Sequence, residues 1–150
     1  MYKFKDKVVA ITGGATGIGF ALAKAFGEEG AKILIGEPRQ EKLFEAVEKL
    51  RALGVEADST VLDVTELASV ERFADFAWQR HGKVEMLINN AGISGARGLI
   101  HEADLGEAHK VFNVNFFGVW HGCSVFGKRM IEQGTPAAIY NLGSENSLFI

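Results

Sequence analysis

The stretch Thr12-Gly13-Gly14-Ala15-Thr16-Gly17-Ile18-Gly19 decides the fold, because it lies between an apolar, β-branched run and a helical pattern. The run from Lys7 to Thr12 predicts a buried strand, and apolar residues then recur at helical spacing until Gly30. A glycine-rich turn between a strand and a helix N-terminus presents backbone N–H groups to an anion such as a pyrophosphate. The stretch therefore predicts a phosphate-binding loop, and a purely structural turn is the alternative.

The glycines of this loop have different expected roles. Gly13 permits a sharp exit from the strand, Gly17 lets the backbone approach phosphates without a Cβ, and Gly19 lets the helix lie close to the sheet. The spacing is G-x-x-x-G-x-G with no Lys-Ser or Lys-Thr pair after it, which argues against P-loop kinases and GTPases. The cofactor-binding residues predicted in this loop are Thr12, Gly13, Thr16, Gly17, Ile18 and Gly19.

Strand and helix patterns alternate along the whole chain, and this alternation predicts a parallel sheet covered by helices. Four further strands are expected: one over Lys32 to Glu37, one that closes with Thr60 to Asp63, one over Val84 to Asn89 and one over Ala137 to Leu142. The expected fold class is α/β, a doubly wound parallel sheet of the Rossmann type with strand order 3-2-1-4-5. A length of 150 residues with 47% apolar composition predicts one domain over residues 1–150.

A long helix is expected from Asp104 to Gln133, with Asp104 as its N-cap and Glu107 three residues later. Each glycine inside a helix costs about 1 kcal/mol relative to alanine, so close packing against a ligand or another helix must offset them. A kinked or broken helix is the alternative. The glycines in question are Gly106, Gly118, Gly122 and Gly127.

Composition excludes several classes of partner. The formal net charge is -3 and both signs are scattered, so no basic patch predicts binding to nucleic acid or an anionic membrane. Cys123 is the single cysteine and is expected to be a small buried residue; no signal peptide or membrane span is predicted, which favours the cytoplasm. The chain also offers no metal-ligand spacing. Surface or packing roles are expected for His81, His101, His109 and His121, and packing roles for Trp78 and Trp120.

Glu37 ends the second predicted strand, 18 residues after Gly19, near the spacing at which an acidic residue meets an adenosine ribose. An isolated carboxylate is otherwise a solvated charge. Because a 2′-phosphate would meet the like charge of Glu37, we expect NAD rather than NADP. Arg39 either is a solvated charge at a helix start or reaches the adenosine end of the cofactor.

Four further motifs accompany the glycine loop in sequence order, and together they resemble the short-chain dehydrogenase/reductase family over all 150 residues. The resemblance implies hydride transfer between a nicotinamide cofactor and a small-molecule alcohol or ketone, in a homodimer or homotetramer that packs the long helix against its copy. The alternative is a different Rossmann ligand, such as a methyl donor, but the motifs would then match this family by coincidence. The motifs are Asp63-Val64, Asn89-Asn90-Ala91-Gly92, Asn115-Phe116-Phe117-Gly118 and Tyr140-Asn141-Leu142-Gly143-Ser144.

The resemblance also implies residue roles. Asp63 would meet the adenine amino group and Val64 the adenine ring, while Asn90, Ala91 and Gly92 would flank the adenosine ribose and hold the central strands. The implied catalytic residues are Asn115, which holds a water in a proton relay, and Ser144, which hydrogen-bonds the substrate oxygen. The alternatives are a helix-interior asparagine bonded to backbone and a turn serine. Pocket-lining candidates are Ser94, Glu145 and Asn146.

The family's Tyr-x-x-x-Lys motif, expected roughly a dozen residues beyond Ser144, is not in this sequence. Tyr2 has Asp6 four residues later, and Tyr140 has Ser144. Because the tyrosine acts as the general acid and base, we expect residues 1–150 to be a truncated enzyme that is inactive alone. A non-catalytic dinucleotide-binding module or pseudoenzyme is the alternative.

Overall fold

Five parallel strands form one sheet in the part of the chain that the computed structural model describes, residues 3–95, 99 and 101–144. Their order is β3-β2-β1-β4-β5, which confirms the predicted doubly wound topology. The central strand β1 is buried along its whole length. The strands are β1 (Val8–Thr12), β2 (Lys32–Glu37), β3 (Ala57–Val61), β4 (Met86–Asn89) and β5 (Ala138–Asn141).

Helices cover both faces of this sheet because residues of a strand alternate between its two faces. Val9 and Ile11 of β1 join the core beneath the first two helices, whereas Val8 and Ala10 join the core beneath the helices that follow β3 and β4. Among the described residues, no helix is both long and apolar enough to cross a bilayer. The helices are α1 (Gly17–Glu28), α2 (Gln40–Ala52), α3 (Leu67–His81), α4 (Leu105–Phe112) and α5 (Gly118–Glu132).

The third strand ends earlier than the sequence predicts. It pairs with β2 from Ala57 opposite Ile33 to Val61 opposite Glu37, so Leu62 and Asp63 lie beyond it. Its sequence ADSTV is largely polar, because an edge strand is only half-buried, and the apolar pattern used to locate strands is therefore weak there. The correction moves Asp63 from the strand into the loop at the carboxyl edge of the sheet.

The predicted long helix is present as α4 and α5, joined by a π-helical turn over Asn113–Phe117. Asp104 is its N-cap, since the carboxylate accepts a hydrogen bond of 2.8 Å from the backbone N–H of Glu107. At the end of the turn, the N–H of Gly118 donates to the carbonyl of Asn113, five residues earlier. Helical backbone therefore continues through the glycine-rich region, and the structure corrects the alternative of a broken helix.

Two glycines of this helix pack against the carboxyl edge of the chain's own sheet. A Cβ at Gly118 would lie 2.7 Å from Cγ2 of Val64, and one at Gly122 would overlap Oδ1 of Asn89. The expectation that a ligand or another helix fills this space is therefore wrong for both. At Gly127 a Cβ would lie in ordinary contact, 3.8 Å from Ile139, so packing does not require that glycine.

The expectation of a buried side chain is wrong for two residues, Trp120 and Cys123. Trp120 lies on the side of α5 opposite Gly118 and Gly122 and is 64% exposed. Cys123 is only partly buried, and its Sγ lies 3.6 Å from Nδ2 of Asn89 and from Oδ1 of Asn141. The first half of α5 therefore buries glycines against the sheet, its second half buries Phe126 and Met130, and its largest side chain, Trp120, is exposed to solvent.

Candidate functional site

A cleft of about 540 Å³ lies at the carboxyl edge of the sheet, where loops follow β1, β2, β3 and β4. This volume is in the range of roughly 300–1,000 Å³ that is usual for small-molecule and cofactor sites. The cleft lies where the strand order reverses between β1 and β4, the position at which doubly wound sheets bind ligands. It is lined by Gly13, Thr16, Ile18, Glu37, Pro38, Arg39, Leu62, Asp63, Val64, Asn90, Ala91, Gly92, Ile93 and Val114.

Thr12 and Asn90 join the ends of β1 and β4 beneath this cleft. The buried hydroxyl of Thr12 accepts hydrogen bonds from the backbone N–H groups of Asn90 and Ala91, at 3.1 and 3.0 Å. In return, Nδ2 of Asn90 donates to the carbonyls of Thr12 and Gly13, at 2.9 and 3.0 Å. Four hydrogen bonds therefore fix the glycine loop relative to the loop after β4.

The glycine loop leaves the N-terminus of α1 open toward the cleft. Thr16 is the N-cap residue, but its side chain makes no capping bond to the N–H groups of the first turn. Gly17 has a φ of +54°, and a Cβ there would meet no atom within 4 Å. Because a helix N-terminus carries unsatisfied N–H donors and a partial positive charge, this arrangement fits an anionic group such as a pyrophosphate.

Gly19 has a packing role that differs from the expected one. A Cβ there would overlap the carbonyl oxygen of Gly13 and would lie 2.5 Å from Nδ2 of Asn90. The missing side chain therefore lets α1 lie against its own preceding loop and against Asn90. It does not serve general contact between helix and sheet.

Glu37 and Arg39 form an ion pair at the side of the cleft. Glu37 is 5% exposed at the end of β2, and its Oε1 accepts a hydrogen bond of 2.6 Å from Nε of Arg39. The hydrogen bond and the negative charge of Glu37 raise the pKa of Arg39 above its ordinary value. The Arg39 side chain is 60% exposed, but it also lines the cleft and bonds the predicted ribose-binding carboxylate, so it is more than a solvated charge at a helix start.

Asp63 and Val64 form a second wall, in the loop between β3 and α3. Oδ1 of Asp63 accepts from the backbone N–H of Thr65 at 2.9 Å and from its hydroxyl at 2.7 Å. The N–H of Asp63 donates to the hydroxyl of Ser69 at 3.0 Å. Within the described ranges no donor is assigned to the second carboxylate oxygen of Asp63, which fits an acceptor for an amino group at the cleft.

Asn115 lies in the π-helical turn and clamps the loop after β4. Its Oδ1 accepts from the N–H of Ile93 and its Nδ2 donates to the carbonyl of Ile93, both at 2.9 Å. The side chain is therefore bonded to backbone, as in the non-catalytic alternative, but to another loop rather than to its own helix. Its neighbour Val114 lines the cleft. π-helical turns are frequent at functional sites.

The second implied catalytic residue, Ser144, lies three residues beyond the end of β5 and is exposed. Neither Ser144 nor Asn115 is among the described residues that line the cleft, so the two implied catalytic residues lie outside its lining. Ser94 is exposed in the loop after β4. The other two pocket candidates, Glu145 and Asn146, fall outside the described residues.

Sequence reasoning missed several residues that line the cleft. Leu62 precedes Asp63 and Pro38 follows Glu37, so adjacency to a predicted site residue was the available signal. Ile93 follows Gly92, and Val114 precedes Asn115. All four are apolar, and apolar residues at strand ends are usually core residues, so their types alone do not indicate a site.

Comparison with known proteins relates this chain to one family. A sequence profile described as short chain dehydrogenase matches residues 7–149. The chain is 37% identical over 141 residues to the probable oxidoreductase EphD of Mycobacterium tuberculosis, covering 94% of this chain and 24% of that protein.

The solved structures that are similar to this chain include the following two. A short chain dehydrogenase/reductase from Burkholderia phymatum in complex with NAD has a TM-score of 0.94 and 38% identity, covering 99% of this chain and 53% of that one. An actinorhodin polyketide ketoreductase with NADPH has a TM-score of 0.91 and 31% identity, covering 95% and 55%. The chain thus spans about half the length of these structures and about a quarter of EphD.

A branched side chain at Gly17 is expected to block the anion site. Gly17→Val would project into the open space before the helix N-terminus, and we expect at least a 100-fold loss of NAD affinity by calorimetry. Gly54→Val is the matched control, since Gly54 also has a positive φ, +79°, with no atom within 4 Å of its Cβ, but lies after α2. Both changes impose similar backbone strain, of about 1–3 kcal/mol. Equal NAD affinity in the two variants would contradict the placement.

Proposed function

The chain belongs to the short chain dehydrogenase family, and from this we propose an oxidoreductase that transfers a hydride between a nicotinamide cofactor and an alcohol or carbonyl compound. One observation carries the proposal: an uncapped helix N-terminus, a buried carboxylate and the Asp63–Val64 wall line a single cleft at the strand-order reversal. These groups complement in turn a pyrophosphate, a ribose and an adenine. The substrate class rests on family membership.

The residues present fit the adenine, the adenosine ribose and the pyrophosphate of such a cofactor. The loop over residues 13–19 would hold the pyrophosphate through backbone N–H groups, and Glu37 would accept hydrogen bonds from the adenosine ribose. Asp63 would accept from the adenine amino group, with Val64 against the ring. Asn90, Ala91 and Gly92 would flank the ribose, because they line the same cleft. When bound, the nicotinamide supplies or accepts the hydride.

The chain's own contribution to the chemistry would be orientation and proton handling. Ser144 would donate a hydrogen bond to the substrate oxygen, and Asn115 would hold a water in a proton relay. The clamp between Asn115 and Ile93 fixes the π-helical turn relative to the cleft, so a water held at this turn would have a defined position. A positioned proton donor contributes about 10²- to 10⁴-fold to a step of this kind. Neither side chain is itself a strong acid.

Turnover by the full-length protein tests the proposed reaction. We expect NAD-dependent oxidation of an alcohol from a broad panel, followed through the absorbance of the reduced nicotinamide. Ser144→Ala should lower kcat by about 100-fold or more and leave NAD affinity within about twofold. Residues 1–150 alone should bind NAD without turnover, because no Tyr-x-x-x-Lys occurs among them.

Two outcomes would contradict this assignment. Turnover by residues 1–150 at about 1 s⁻¹ or faster would show that the catalytic residues were wrongly assigned. Tight NAD binding without turnover by the full-length protein, across both alcohols and ketones, would favour the non-catalytic module instead.

NAD rather than NADP is the second part of the proposal. The similar structures include one with NAD and one with NADPH, so the choice depends on this chain's own residues. Glu37 is buried and already accepts the hydrogen bond of Arg39, and ribose hydroxyls can donate to the same carboxylate. A 2′-phosphate there would add a second negative charge where water screens little. Arg39 reduces the repulsion without removing it.

We expect NAD to bind about tenfold more tightly than NADP at equal ionic strength. Glu37→Gln should reduce this ratio, because it removes the like charge. Arg39→Met should raise it, because it removes the nearby cation that a 2′-phosphate could use. Calorimetric titration of the wild type and both variants gives the three ratios, and tighter NADP binding by the wild type would overturn the assignment.

A second copy of the chain is the proposed partner for the outer face of the long helix. This face exposes Phe112, Phe116 and Trp120 at four-residue intervals, with Phe116 stacked on Trp120 at a centroid distance of 6.3 Å. Contiguous exposed aromatic surface is typical of an interface. The helix glycines, which first suggested an interface, do not support it, because Gly118 and Gly122 pack inward.

Trp120→Glu is expected to shift the full-length protein to a smaller species in sedimentation, because two such charges would be buried across a symmetric interface. Phe44→Glu on α2 is the matched control, since Phe44 is also an exposed aromatic residue, 70% accessible, on another helix. A wild type that sediments as a monomer would refute the proposed self-association.

A further inference from the structure

His121 connects the Asp63–Val64 wall of the cleft to the helix that follows Asn115. Its Nδ1 lies 2.9 Å from the carbonyl oxygen of Val64. A carbonyl oxygen can only accept a hydrogen bond, so Nδ1 carries the proton and donates. The ring is partly buried on α5, one turn beyond Gly118.

The carbonyl of Val64 depends on this bond because it lies outside the sheet. β3 ends at Val61, so no neighbouring strand pairs with the backbone of Val64. A carbonyl that is removed from water without a hydrogen-bond partner destabilises the fold, whereas one that accepts a hydrogen bond does not carry this penalty. His121 supplies that partner, and the close contact between Gly118 and the side chain of Val64 brings the helix within reach.

We propose that His121 is a positioning residue that fixes the adenosine wall of the cleft before a dinucleotide binds. The proposal rests on the dinucleotide site proposed above. On one side, the hydroxyl of Ser69 holds the N–H of Asp63; on the other, His121 holds the carbonyl of Val64. A wall held from both sides loses less conformational freedom on binding, which raises affinity without any contact between His121 and the ligand.

The same helix also sets the position of the loop after β4. Asn115, Gly118 and His121 follow one another at three-residue intervals, and the first of them bonds both backbone groups of Ile93. Val64 and Ile93 line the cleft from different loops. His121 therefore helps to set the distance between two walls of the cleft. Its loss would loosen the adenosine wall, while the bonds between Asn115 and Ile93 would remain.

Calorimetry on the full-length protein with AMP and with NAD tests the proposal. His121→Leu should weaken the affinities for AMP and for NAD by about 3- to 10-fold, because it removes the hydrogen bond that holds the carbonyl of Val64. His121→Asn should restore affinity to within about twofold, because its Nδ2 occupies nearly the position of the imidazole Nδ1. His109→Leu, which removes an exposed imidazole on α4, is the matched control and should bind as the wild type does.

Hydrogen exchange separates positioning from general stability. In His121→Leu the amides of Asp63 and Thr65 should exchange faster, while those of Gly13 to Gly19 stay unchanged. Uniformly faster exchange, or affinity equal to the wild type, would overturn the proposal. If the wild type binds neither AMP nor NAD, the proposed function fails instead, and the exchange of Asp63 and Thr65 still decides whether His121 holds the wall.

Discussion

The reciprocal hydrogen bonds between Thr12 and Asn90 are the constraint on which the site depends. Thr12 ends β1 and Asn90 follows β4, the two strands that flank the strand-order reversal. Each side chain bonds backbone groups of the other residue's loop. Without these bonds, the backbone at the reversal would face a cleft with its polar groups unpaired, at a cost in stability. The position of Gly19 against Asn90 follows from the same bonds, because the amide leaves room for hydrogen only.

Two further walls of the cleft, the loops after β3 and β4, are held by one helix. Asn115 bonds the loop after β4, and Gly118 and His121 contact the loop after β3. The order of these contacts along the helix gives the cleft its width, since each loop is tied to a fixed point on a rigid element. Polar groups that recognise a ligand can therefore lie on loops and still be precisely placed.

Most of the fold and much of the cleft could be predicted from the sequence, for a physical reason. Buried parallel strands require apolar runs, and glycines at a strand-to-helix turn require a particular backbone, so residues 7–19 indicate both. The bounds of β3 could not be predicted, because an edge strand can be polar. Nor could the partners of Gly118, Asn115 and His121, since those contacts join residues far apart in sequence and depend on the assembled sheet. Ile93 and Val114 were missed because apolar side chains look alike in a core and in a cleft.

The π-helical turn at Asn113–Phe117 lets the long helix hold one residue more than an uninterrupted α-helix of the same length. Each residue of an α-helix turns the chain by about 100°, and the wider turn takes up the extra residue without rotating α4 against α5. Removal of a single residue from the turn would let it relax to ordinary α-helix, and Phe112 and Trp120 would still share a face. The capped start of α4 and the packed glycines of α5 could both keep their positions. A deletion within the turn is therefore the change in length that the flanking helices tolerate best, whereas a deletion within α4 or α5 would rotate the residues on its two sides by about 100° relative to one another.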